Sequence, residues 1–256
     1  ASVITAFLGL FARVDGLGTR PVAVDEYYFT RSIEAFAADG TPHFSGGGLY
    51  LRGLPVQMLV CGVLQVFSVP LLAGRMVTSL FGLLAVAMFF LYARLRVGIL
   101  LSATAAVLLL ASSWEVEFAR FSRHYAPFQF VALVFWYVLD RACRTDKPAF
   151  VWALPVTGLA ACFFHELGIF LLPLVVAPLV SQQFRTRLPT TRQRFGYIAL
   201  AVIVASDGLF NVRLYMLFPA WRTSVMGTAI ADLLRGEITP EEFGKRLDDG
   251  IVAALS

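Results

Sequence analysis

The chain has 256 residues, 58% of them hydrophobic and only 15% charged, with a mean hydropathy of +0.74. A soluble chain carries about 25% charged and roughly 45–50% apolar residues, so the composition excludes a soluble enzyme, a disordered tail and a secreted disulfide scaffold. The net charge of +4 is first a topology signal in so apolar a chain, and it does not indicate nucleic acid.

A membrane-spanning helix needs about 20 apolar residues. The chain opens inside such a run, residues 1–12, which reads as the second half of a first span cut at its start. Further spans are expected at residues 75–93, 99–113, 125–139, 150–164, 167–180 and 195–217. Residues 54–70 are apolar but short and carry Pro55, Gln57 and Gln65. Placing this run in the interface puts Arg94, Arg96, Arg141, Arg144, Lys147, Arg185, Arg187, Arg192 and Arg194 on one side, nine of the 21 basic residues. That side is then cytoplasmic by the positive-inside rule. The expected fold is an all-α polytopic membrane protein of about seven transmembrane helices, with interfacial helices in its first outer loop.

Residues 1–217 therefore read as a transmembrane module with a first outer loop at 13–73. Residues 218–256 read as an outer-face soluble tail that begins a longer C-terminal region. In this tail Thr239-Pro240-Glu241-Glu242 is a capping box with proline at the first helical position, starting a short helix through Leu247. Cys61, Cys143 and Cys162 are scattered and form no CxxC pair, so neither a zinc site nor a disulfide framework is expected.

The polar residues able to do chemistry fall almost entirely on the outer face. Asp25 and Glu26 open a helical stretch from Val24 to Ala38, with Tyr28, Ile33, Phe36 and Ala37 available for an apolar face. One carboxylate there could take a proton from an acceptor hydroxyl; equally, acidic residues favour the positive end of a helix dipole. In the second outer loop, Glu117, Arg120 and His124 would share one face if the segment is helical. Arg120 and Arg123 lie on the side that the positive-inside rule depletes. They call for a local partner, either Glu115 or Glu117 or a bound anion, with His124 and Tyr125 as further donors.

His165-Glu166 marks a hairpin tip between two spans; it is not a zincin helix, because position 169 is Ile. Arg52 could meet an anion or a lipid headgroup at the entrance to the interfacial helix. Asp207 lies inside the last span with Asn211 and Arg213 after it, and either lines a cavity or marks a broken helix. Gly46-Gly47-Gly48 lacks a following Lys-Ser/Thr and reads as a flexible loop rather than a P-loop.

An outer-loop Asp-Glu-x-Tyr at Asp25, an interfacial Leu-Pro helix, a span opening with Arg75, Ser79 and Gly82, and an outward Arg120, Arg123, Tyr125 stand in a consistent order. Together they resemble GT-C glycosyltransferases, in particular the protein O-mannosyltransferase and aminoarabinose transferase-like group, from Arg13 to about Pro178. The resemblance implies transfer of a sugar from a polyprenyl-phosphate donor to an acceptor at the periplasmic or luminal face of the cell (inner) membrane. It implies Asp25 as the catalytic acid/base position, with Glu26 beside it. Arg52, Arg120, Arg123, His124, Tyr125, His165 and Glu166 become the substrate- and phosphate-binding candidates.

The family's second outer loop often carries an Asp, sometimes within a metal site, where this chain has Glu115 and Glu117. No metal ligand is assigned, and a divalent cofactor is left open. The expected partners are membrane lipid and the lipid-linked donor, with no nucleic acid. The alternative reading is a non-catalytic GT-C-like membrane subunit of a larger complex, with membrane-protein partners.

Overall fold

The computed structural model describes residues 9–44, 49–175, 188, 190, 192–202, 229, 232, 233, 235 and 237–255. Expectations for Arg185, Arg187, the 46–48 glycines, Asp207, Asn211, Arg213, the start of the first span and the far halves of the last two lie outside these residues. The described residues are helical, with one isolated antiparallel bridge between His43 and Leu49.

In chain order the helices are α1 (residues 9–14), α2 (Val24–Asp39), α3 (Leu54–Val63), α4 (Pro70–Val97), α5 (Ile99–Ala111), α6 (Ser113–Ala119), α7 (Tyr125–Arg144) and α8 (Pro148–Phe164). A 3₁₀ turn (Glu166–Leu171) runs into a helical turn at 172–175, followed by α9 (residues 192–202) and α10 (Pro240–Leu255). Proline stands in the first turn of α3, α4 and α8, where its missing N–H costs no hydrogen bond. The capping box at Thr239 forms reciprocally: Glu242 N–H donates to Thr239 Oγ1 at 3.2 Å and Thr239 N–H to Glu242 Oε2 at 2.8 Å. The helix it starts runs to Leu255, past the expected end.

α4 has 28 residues, about 42 Å at about 1.5 Å per residue, and is long and apolar enough to cross a membrane. The pair α5 and α6, bent by 63°, passes the same test only if taken as one broken span. α3, α8 and the segment Glu166–Val175 are apolar but shorter, and α7 ends in Asp140, Arg141 and Arg144. Large apolar side chains of α5 face outward: Ile99 is 67% exposed, Leu100 81% and Leu108 68%.

The helices sort charge to two ends. At one end Asp140 of α7 takes Arg96 of α4 at 2.5 Å and Arg144 at 2.8 Å. At the other end α2, the link between α6 and α7, and the turn after α8 converge. Phe29, Ile33, Tyr50, Val56, Val60, Ala73 and Val77 form the apolar floor there, while Phe135, Val151, Leu154 and Ala161 fill the contact of α7 with α8. Along α4, Gly74, Thr78 and Gly82 recur at i, i+4 and i+8, the small-residue spacing that lets helices approach closely. A Cβ on Gly82 would collide with Ala119 and stand 3.2 Å from Glu115 Oε1. Ser79 Oγ bridges the same contact, donating to Arg13 O at 3.2 Å and Ala119 O at 3.4 Å.

Candidate functional site

The first turn of α2 presents two adjacent carboxylates in opposite settings, because one residue is about 100° of helix rotation. Asp25 points outward: its side chain is 56% exposed and lies 3.2 Å from Arg123 Nη2. Glu26 points inward and is fully buried. The Arg75 guanidinium grips it in a fork, Nε to Oε1 at 2.9 Å and Nη2 to Oε2 at 2.8 Å. Ser122 N–H donates to Oε1 at 2.8 Å and Ala23 N–H to Oε2 at 3.3 Å. Burial alone would raise the Glu26 carboxyl, but the bonds from Arg75, Ser122 and Ala23 hold it below its ordinary value. With no surface exposed and every lone-pair direction occupied, Glu26 has the setting of a structural carboxylate, unlike its neighbour Asp25.

Arg75 extends that role. Its remaining N–H groups donate to the carbonyls of Leu17 at 2.6 Å, Arg20 at 3.1 Å and Pro21 at 3.0 Å. One side chain at the head of α4 therefore clamps the loop before α2 and, through Glu26, the Ser122 backbone of the α6–α7 link. That clamp places Asp25 beside Arg123.

The second-loop residues part company. α6 ends at Ala119, so the expected face shared by Glu117, Arg120 and His124 does not form. Glu115 pairs instead with buried Arg13, and Glu117 with Arg20. Arg120 turns to the loop before α2 and donates to Asp15 O at 2.5 Å, apart from the cluster around Arg123.

Arg123 is 5% exposed, and its Nη1 donates to Tyr50 Oη at 2.5 Å and to Asp25 O at 3.2 Å. Burial works against its charge, but Tyr50 and Asp25 outweigh it, so the guanidinium is held firmly cationic. Burial also pushes the Tyr50 phenol up.

His124, 1% exposed, sets its ring at a tilt 4.8 Å from that of His165 and 5.0 Å from that of Tyr125. Burial, reinforced by the charge of Arg123, pushes His124 down to about 2 and leaves it neutral. His165 is likewise lowered, first by burial; Glu166 opposes this, while Arg52 and Arg123 add to it. Its Nδ1 accepts the Leu167 N–H at 3.0 Å. Glu166 Oε1 lies 3.4 Å from Arg52 Nη2, and its Oε2 3.5 Å from His165 Nδ1. The Tyr125 ring is 5.6 Å from His165 and borders a cavity of about 300 Å³ lined also by Leu109, Ser112, Trp114, Glu115, Phe118 and Gln129.

The converging set is therefore Asp25, Arg52, Arg123, His124, Tyr125, His165 and Glu166, joined by Tyr50. Tyr50 carries no local signal for this role, since it meets Arg123 from 73 residues away. Gln57 was a better clue. It reads as a polar intrusion in an apolar helix, and it accepts Ser32 Oγ–H at 2.7 Å and donates to Tyr50 O at 2.9 Å and Arg52 O at 3.0 Å. It thereby fixes the strand of backbone that carries both residues. No protein-family model, no curated protein and no solved structure matches this chain.

Proposed function

We propose that the chain is a multi-pass membrane glycosyltransferase of GT-C type that moves a sugar from a polyprenyl-phosphate donor at the outer membrane face. The observation carrying this reading is the exposed Asp25 carboxylate 3.2 Å from the buried Arg123 guanidinium. It pairs a proton acceptor open to an incoming hydroxyl with a fixed cation suited to phosphate. Supporting it are the outward apolar face of α5, the length of α4, and the separation of the Asp140 end from the site end.

The donor phosphate sits against Arg123 and Arg52, and the polyprenyl chain leaves past Trp114 and Phe118 in the cavity beside Tyr125. Phosphate then competes with Asp25 for Arg123, which frees the carboxylate only when donor is bound. The acceptor oxygen attacks the anomeric carbon, the bond from that carbon to the phosphate oxygen breaks, and the acceptor proton passes to Asp25. Arg123 meets the charge left on the departing polyprenyl phosphate. A positioned donor aimed at developing charge is the largest contribution such a site makes.

Arg123→Met tests the reading, since it keeps the apolar stem and removes the fork. Losing a charge-assisted contact costs about 1.5–3 kcal/mol, roughly 10- to 100-fold in affinity. In detergent, the variant is expected to bind polyprenyl phosphate that much more weakly while melting as a folded protein. Unchanged affinity in a folded Arg123→Met variant overturns the assignment and favours the non-catalytic subunit.

A further inference from the structure

We propose that His124, His165 and Glu166 form a binding site for a divalent metal ion of the zinc class, with one coordination position left open toward the outer face. The three residues each offer one donor atom, and these atoms lie within 4.8 Å of one another. Ligands at about 2.0–2.2 Å around a tetrahedral ion stand roughly 3.3 Å apart. The 3.5 Å between His165 Nδ1 and Glu166 Oε2 is already close to that separation.

A second observation points the same way independently. His124 is 1% exposed, and its Nδ1 is buried with no hydrogen-bond partner among the described residues. Buried polar atoms are almost always partnered, and the rings around this one (Phe29, Tyr125 and His165) supply no carbonyl or carboxylate to it. A cation drawn between the two imidazoles and Glu166 gives this ring a partner, after a ring reorientation and a closure of up to about 1.5 Å from the 4.8 Å spread of the donor atoms.

Arg52 and Arg123 flank the two imidazoles, so a cation bound here would be accompanied by an anion. The Glu166 carboxylate faces the cluster and supplies its one anionic ligand. Its two oxygens are divided: Arg52 lies against Oε1 and leaves Oε2 toward His165, the outer-shell arrangement that orients a metal-binding carboxylate. His165 Nδ1 is held as an acceptor by Leu167 N–H, so its lone pair is present, and metal binding exchanges that hydrogen bond for a coordinate bond. Two imidazoles and one carboxylate with an open fourth position is the donor set of catalytic zinc sites. Two neutral ligands and one carboxylate leave the loaded site net positive. In the transferase reading, on which this last point alone rests, the open position takes an oxygen of the donor phosphate. The site also ties the start of α7 to the end of α8.

The test uses the full chain in detergent, stripped with chelator and titrated with Zn²⁺ or Co²⁺ alone. The expected results are one equivalent of metal per chain, and a Co²⁺ spectrum of tetrahedral or five-coordinate nitrogen–oxygen ligation. Outer-shell losses alone weaken metal binding about 10- to 100-fold. Glu166→Gln and His165→Gln, which delete ligands, should therefore each weaken it by more than about 100-fold. Absence of stoichiometric binding to the wild-type chain overturns the proposal whatever the variants do, as does binding unchanged in both. Metal binding without sugar transfer would sink the transferase reading and leave the metal site standing. Transfer by a chain that takes up no metal would do the reverse.

Discussion

Glu26→Ala is expected to be among the most destabilising single substitutions around α2, lowering stability by about 3–5 kcal/mol. The substitution strands the Arg75 guanidinium at zero exposure without its counter-charge, and it removes the acceptor of the Ser122 N–H. Removing both charges helps less here than at most buried pairs. Arg75 also satisfies the carbonyls of Leu17, Arg20 and Pro21, so the double variant Glu26→Ala/Arg75→Leu leaves three acceptors without their donor. Thermal unfolding in detergent should rank the wild type well above both variants, with little recovery in the double.

The pH dependence carries the same signature. A carboxyl held below its ordinary value contributes stability that is fully present above the unfolded value, about 4.3 for Glu. That stability is lost as pH falls through the folded value beneath it. Glu26→Gln should lack this part of the acid limb of the stability curve. A Gln variant with an unaltered acid limb contradicts the clamp.

The neighbouring carboxylate should behave in the opposite way. Asp25→Asn is expected to leave the melting temperature close to wild type, because the side chain is 56% exposed and Arg123 keeps its bonds to Tyr50 and to the Asp25 carbonyl. On the proposed function, sugar transfer in reconstituted membranes should nonetheless fall about 10²- to 10⁴-fold, the usual contribution of a positioned proton acceptor. Donor binding should hold or tighten, since the Asn no longer competes with phosphate for Arg123. Two adjacent residues, one governing stability and the other turnover, separate the account from any general role for an acidic helix start.

The contrast between the buried Glu26 and the exposed Asp25 was only half legible in the sequence. The start of α2 at Val24 and the apolar run 150–164 of α8 were legible, and they agree closely with the observed helices. The buried face of α2 does not follow, because it runs through Glu26, Phe29, Thr30 and Ile33. Polar residues on an inward stripe erase the periodic signal, and their burial makes sense only once Arg75 is seen 49 residues away. The break after α6 was hidden for a different reason. Glu117, Arg120 and His124 keep helical spacing across Phe121 and Ser122, with no glycine or proline to mark the stop. The backbone leaves the helix there so that Ser122 N–H can reach Glu26. The grouping of His165 with Glu166 at a turn was readable, whereas their approach to His124 depends on how α7 packs on α8.

The most direct test of the account is a structure of the full chain in lipid nanodiscs loaded with polyprenyl phosphate. The account predicts phosphate density in contact with Arg123 and Arg52, with the Asp25 carboxylate facing the open side and the prenyl chain along the groove beside Tyr125. A phosphate bound elsewhere, or a sealed or lipid-filled space at Arg123, would contradict it.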